Sequence, residues 1–327
     1  MDRWTGILKV PLHPNSSSFY RVAASLCIFS STKTLAVPSA NAIFFNGDQV
    51  EGTGNFVIER LSDVQKIAEI LVSKFGSTIN AWVIEANTFN GPFAVYKDFI
   101  PTVNLDGEPQ SYNATGLPAS SSIVLLLSNC LKEQAKSSML GGQPYQAAPS
   151  ASCSFKQKTL FLGFSKGGTV LNQLLTELGS MEVQPTGSDS QAKKTMMDEG
   201  SGMWEEHQII PTSKEELLNS IAEIHYVDVG LNSEGAYLTN QDVIEGISDR
   251  LTRRTFGMRI ILHGTPRQWS DRWRTWICKE KNEFFRLLKL AARKNMGKLM
   301  LRERFYFADR PPSLQMHFEI IENLDVS

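Results

Sequence analysis

"TLFLGFSKGGTVLNQLLTEL", Thr159 to Leu178, decides how the rest of the chain is read. It opens as a short apolar run, passes through Gly163, Ser165, Gly167 and Gly168, and then repeats Val170, Leu171, Leu174, Leu175 and Leu178 at helical spacing. That pattern is a strand, a sharp turn and an amphipathic helix. Gly163-Phe164-Ser165-Lys166-Gly167 has the form G-x-S-x-G, in which the glycines let backbone pack closely around a serine lifted above the sheet edge. The five letters are weak by themselves. The strand before them and the helix after them make Ser165 a candidate nucleophile rather than a structural serine in a small-residue connection.

Further apolar runs bounded by turn residues extend to both sides. They are Thr5 to Leu12, Arg21 to Ser30, Asn41 to Gly47, Ile79 to Ala86, Glu223 to Gly230, Met258 to Gly264 and Leu299 to Asp309, which with Thr159 to Ser165 gives eight candidate strands. Helical patterns lie at Ser62–Phe75, Ala119–Lys136, Gly167–Gly179, Ser213–Ala222, Asn240–Arg250 and Cys278–Asn295. Strands alternating with helices predict an α/β fold with a mostly parallel sheet covered on both faces. The first two runs have no helix between them and read as an N-terminal antiparallel hairpin. The expected organisation is one α/β-hydrolase-like domain over residues 1–327, interrupted twice. Residues 87–118, rich in Pro, Gly and Asn and carrying Phe89, Phe93, Tyr96 and Phe99, read as a lid insertion or pocket wall. Residues 181–211 contain a low-complexity stretch and read as a disordered insertion.

A hydrophobic content of 42%, a charged content of 20% and a net charge of −1 exclude a global bias toward nucleic acid or membrane. The charge is unevenly spread, with 16 Lys or Arg against four Asp or Glu between Arg250 and Arg304. A solvated face is the simpler reading; an anionic lipid or RNA surface is the other, and no nucleic-acid partner is expected. Cys27, Cys130, Cys153 and Cys278 are scattered, with neither CxxC nor metal-ligand spacing, which points to a reducing, intracellular compartment, cytoplasmic or mitochondrial. No apolar run approaches the length of a membrane span; Ser122 to Leu131 is much too short. Arg3 to Gly47 lacks acidic residues, as transit peptides do, but the same residues read as two strands.

A serine needs a base, usually a histidine oriented by a carboxylate, and hydrolases of this fold order them Ser, Asp or Glu, His. Of five histidines, His13 precedes the serine, His207 falls in the low-complexity insertion and His225 sits mid-strand. His317, in the loop after the eighth strand, is the preferred base, and His263, ending the seventh, the alternate. Asp228, at the end of the sixth strand, is the preferred acid and Asp271, in the loop after the seventh, the alternate. In the frequent pattern H-G-T-x-D the acid would stand at position 267, which here is Arg267. Oxyanion donors are expected from the backbone N–H of Lys166 and from the loop Asn46 to Gln49, with Gly47 and Asp48 at its centre. That loop is followed by Gly52 and Gly54, but Val57 stands where a dinucleotide fingerprint needs its third glycine, and no P-loop occurs. The segment His263 to Trp276 packs three Trp and three Arg, suited to anion binding or to core packing with surface salt bridges. The helix Cys278–Asn295 has an apolar side bearing Phe284, Leu287, Leu288 and Ala291 and reads as a covering helix.

Taken together, "IFFNGD", "LFLGFSKGGTVLNQLL", Asp228, "HGTPRQWSDRWRTW" and "SLQMHF" resemble, over nearly the whole chain, the eukaryotic family typified by the product of human chromosome 2 open reading frame 69, in particular its plant members. The resemblance implies an α/β-hydrolase-like fold, a serine-hydrolase site at Ser165 and, from the animal members, a mitochondrial association. It implies no substrate. The expected function is hydrolysis of an ester or thioester of a small-molecule or lipid acyl group by a Ser165, Asp228 and His317 triad, with no metal or organic cofactor. The competing expectation is a non-catalytic hydrolase-fold protein that binds or regulates a metabolic partner.

Overall fold

A computed structural model describes residues 2–139, 157–181, 209–295 and 297–327. Most of the insertion expected at 181–211, and with it His207, lies outside the described residues, as does Cys153. The main sheet has eight strands: β1 (Asp2–Pro11), β2 (Phe19–Ile28), β3 (Ala40–Phe45), β4 (Asn80–Ile84), β7 (Lys158–Phe164), β8 (Ile221–Val227), β9 (Met258–Gly264) and β10 (Leu299–Phe305). All eight expected strands are present, in the spatial order β1-β2-β4-β3-β7-β8-β9-β10. β1 and β2 form the antiparallel edge hairpin, β2 also opposes β4, and every other pairing is parallel. Order inverted at the third and fourth strands, one reversed second strand and a serine turn after the next central strand together define the α/β-hydrolase fold.

Alternation along each central strand sends successive side chains to opposite faces. Ala42, Phe44, Leu160, Leu162 and Phe164 join one core with the helices Phe56–Ser62, Val64–Phe75 and Leu314–Asn323. Ile43, Phe45, Phe161, Tyr226 and Leu262 join the other, under the helices Pro118–Met139, Gly168–Ser180, Gln241–Arg253 and Thr275–Lys294. The last of these buries Phe284, Leu287, Leu288 and Ala291 against that core, as its apolar side requires.

Three described helices were not legible in the sequence pattern, the four-residue Pro266–Trp269 and two others that pack on each other. Phe56–Ser62 is only seven residues long and starts at Asn55, whose side chain accepts from the amides of Val57 and Ile58. Leu314–Asn323 starts at Ser313, which accepts from Met316 N–H, so His317 stands in a first helical turn and not in a loop. The two helices pack together, tied by the Arg60–Glu322 ion pair and by Asn55 Nδ2 donating to Gln315 Oε1 at 3.0 Å. The segment 87–118 contributes a small antiparallel pair, β5 (Thr88–Asn90) and β6 (Phe93–Val95). Its Tyr96 and Phe99 are buried in the core, packed edge to face on Phe45.

The helix after the serine turn is held from within. Glu177, fully buried, accepts from the amides of Ala119 (2.7 Å) and Ser120 (2.9 Å), from Ser120 Oγ (2.6 Å) and from Gln173 Nε2 (3.0 Å). A carboxylate there satisfies the open amides that begin Pro118–Met139. Replacing Glu177 by Ala should therefore cost about 2–4 kcal/mol, because several buried donors lose their acceptor together, and Glu177→Gln should cost less. Urea denaturation of both variants measures this, and equal losses would contradict it.

Candidate active site

β7 ends at Phe164 and the chain turns at once into a short 3₁₀ turn, Ser165–Gly167, and then the helix Gly168–Ser180. Ser165 has φ 51°, a left-handed conformation that costs an ordinary L-residue about 1–2 kcal/mol. The turn is kept tight from one side: a Cβ on Gly167 would stand 2.2 Å from the carbonyl oxygen of Phe45, at the end of β3. The loop after β3 presses on the serine itself. A Cβ on Gly47 would fall 2.6 Å from Ser165 Cβ and 3.3 Å from its Oγ, so only glycine lets that backbone pass.

Asp228 follows β8, the strand paired with β7, and repeats the same device with φ 45°. Register places the pair Phe164 and Val227 just before them, so Ser165 and Asp228 leave neighbouring strands at the same sheet end. The Asp228 carboxylate has no exposed surface. Oδ1 accepts from Thr265 N–H at 2.7 Å, and Oδ2 accepts from Thr265 Oγ1 at 3.0 Å and from His317 Nδ1 at 2.7 Å. A carboxylate that accepts from Nδ1 fixes the proton there and leaves Nε2 as the open ring nitrogen. Phe164 lies against the imidazole, ring centroids 4.6 Å apart, with Phe318 on the edge of the ring.

Ser165 and His317 line one pocket of about 190 Å³, together with Phe93, Lys166, Arg267 and Gln268. In the loop expected to stabilise an oxyanion, Asn46 N–H donates to Ile84 and Gln49 N–H to Pro92. The amides of Gly47 and Asp48, between them, have no partner among the described residues. Lys166 is almost wholly buried beside them. Its Nζ donates to the Asp106 carbonyl at 2.6 Å, stands 3.2 Å from Asp48 Oδ1 and lies 4.6 Å from the centre of the Phe93 ring. Asp48 Oδ1 also accepts from Ala94 N–H at 2.8 Å, so one carboxylate couples the β3 loop, β6 and the serine turn.

The two alternates lie elsewhere. His263 is buried in a chain of polar contacts: Glu223 Oε2 to His225 Nε2 at 3.0 Å, His225 Nδ1 to His263 Nε2 at 3.0 Å, and His263 Nδ1 to Tyr306 OH at 2.8 Å. With both ring nitrogens engaged, it has none to offer Ser165. Asp271 accepts from the amides of Trp273 and Arg274 and pairs with Arg274 Nε at 2.8 Å, closing its own turn. Thr265, Gln268 and Arg274 were not singled out individually in the sequence, whereas Phe93 was named there among the aromatics of the expected lid or pocket wall. The only signal for Thr265 was its place in His-Gly-Thr after β9.

The C2orf69 family model matches residues 107–293, more than half of the chain. The chain belongs to the C2orf69 family. The mitochondrial protein C2orf69 homolog of Mus musculus is 25% identical over 79% of this chain and 69% of that protein. The homolog of the same name from Danio rerio is 21% identical over 90% and 75%. Among solved structures the chain is similar to the BES protein from Bacillus cereus, at 12% identity and TM-score 0.44 over 98% of this chain and 92% of that one. The siderophore hydrolase EstA from Aspergillus nidulans gives 10% identity and TM-score 0.43 over 98% and 95%. In this C2orf69 family member no helix among the described residues is long and apolar enough to cross a membrane.

The buried histidines set an acid limit on folding. Burial, and then the charge that His225 would carry, hold His263 well below the ordinary histidine range; burial also lowers His225. The unfolded chain binds protons at these sites near pH ~6.5 while the folded chain does not, so stability is complete above that pH and falls below it. Thermal or urea unfolding at pH about 7.5 and about 5.5 should show a loss of up to ~1.4 kcal/mol per pH unit for each histidine kept neutral. Unchanged stability across that interval would mean that His225 and His263 take up protons in the folded protein.

Proposed function

We propose that this C2orf69 family member is a serine hydrolase acting on an ester or thioester, with Ser165 as nucleophile, His317 as general base and then acid, and Asp228 as the group that orients the imidazole. One observation carries the reading: His317, bound through Nδ1 to Asp228 at 2.7 Å, lines the same pocket as a serine raised on a left-handed turn. Ser165 Oγ would add to the carbonyl carbon as its proton passes to His317 Nε2. The carbonyl π electrons would move to oxygen, facing the amides of Gly47, Asp48 and Lys166. Collapse would break the bond to the alcohol or thiol, which leaves with the proton from His317. Water, deprotonated by the same imidazole, would then release the acid and restore Ser165. The names of the mouse and fish relatives support a mitochondrial setting for this chain.

Labelling with a fluorophosphonate probe, followed by mass analysis of the modified peptide, tests the assignment. The probe should mark Ser165 and no label should appear on a folded Ser165→Ala variant. His317→Gln and Asp228→Asn should slow the labelling by roughly 10³–10⁴-fold, the scale seen when a triad loses its base or its orienting acid. A folded wild-type chain that stays unlabelled would make the protein a non-catalytic member of the fold.

A further inference from the structure

The pocket holds more positive charge than the triad uses. Among its charged lining residues besides His317, Lys166, Arg267 and Arg274 are cationic and Asp48 anionic, and Asp48 is already 3.2 Å from Lys166. Arg267 forms no ion pair among the described residues, and its Nε is buried without a hydrogen-bond partner. The carboxylates whose charge it feels are committed elsewhere. Asp228 serves Thr265 and His317, and Asp271 serves Arg274 and two backbone amides. Burial, and then repulsion from Arg274, lower the proton affinity of Arg267 against the opposing pull of Asp228 and Asp271. Next to it Gln268 is 3% exposed and forms part of the pocket wall; its buried Oε1 is an acceptor and offers an anion no hydrogen bond. That oxygen rests on Gly230, where a Cβ would stand 2.2 Å from it, so Arg267 and Arg274 are left as the pocket's donors on this side.

We infer that Arg267 and Arg274 form a receptor for an oxyanion, a carboxylate or a phosphate, carried by the substrate away from the carbonyl that Ser165 attacks. This rests on the assignment of Ser165 as nucleophile. A guanidinium offers a planar fork of donors that matches either group, and desolvation makes each charge-assisted bond stronger than at an open surface. The substrate class is then an ester or thioester whose acyl or alcohol portion bears a terminal anion. Neutral esters of the same length are disfavoured because they leave a half-buried guanidinium without a counter-charge.

Three fluorophosphonate probes of equal length, ending in a carboxylate, a phosphate monoester or a neutral carboxamide, test this on the full chain at fixed ionic strength. One or both anionic probes should label Ser165 on the order of 10–100-fold faster than the neutral one, and the faster of the two identifies the anion. Inorganic phosphate should slow the anionic probes. In Arg267→Gln and Arg274→Gln proteins that melt as folded chains, the anionic advantage should shrink toward unity. Equal rates for all three probes on the wild-type protein, or an advantage that survives both substitutions together, would overturn the inference and leave the nucleophile standing. No labelling by any probe would instead remove the nucleophile, and the receptor with it.

Discussion

One fully buried carboxylate joins three parts of the molecule that are far apart in sequence. Asp228 takes a backbone and a side-chain hydrogen bond from Thr265 after β9 and a third from His317 in the C-terminal helix. Without those donors an isolated charge in such a place would be prohibitively expensive. The same bonds that make its burial tolerable also fix the imidazole. The helix bearing His317 is braced a second time at its far end, where Glu322 meets Arg60, so ring position does not depend on the carboxylate alone.

Backbone strain and close packing do the complementary work at the serine. Ser165 and Asp228 both adopt left-handed angles at the ends of paired strands, and aspartate, with its short polar side chain, is among the residues that bear this best. The serine turn is confined by the β3 carbonyl beside Gly167 and by Gly47 passing over the side chain. Lys166 then links this corner to the next. Buried between Asp48, the Asp106 carbonyl and Phe93, it ties down the loop whose Gly47 and Asp48 amides find no partner among the described residues. A residue expected to matter through its amide thus has a second role through its side chain.

Much of this was legible in the sequence. Short apolar runs marked all eight strands of the main sheet, most plainly the central β3, β4 and β7, which are buried on both faces and cannot hide their composition. Glycine spacing and the following leucine stripe marked the serine turn. The helix around His317 was not legible: "PPSLQMHFEII" is short, preceded by two prolines, and gains its stability from packing against another short helix, which no local pattern announces. Asp228 and Asp271 were nearly equal as acids in sequence because each follows a strand. The separation comes from hydrogen bonds, Asp271 closing a turn with its own neighbours. The role of Lys166 was equally hidden, since burial of a lysine depends on partners 60 and more residues away.

The position of the acid has an architectural consequence. Asp228 follows the strand next to the serine, and the segment after β9 meets its carboxylate through Thr265. From position 266 onward that segment packs on the strand ends, Trp269 over Gly264 and Gln268 over Gly230. In the proposed enzyme, the orienting acid and the arginine-bearing wall thereby sit on separate pieces of chain, so one can be altered by substitution without replacing the other.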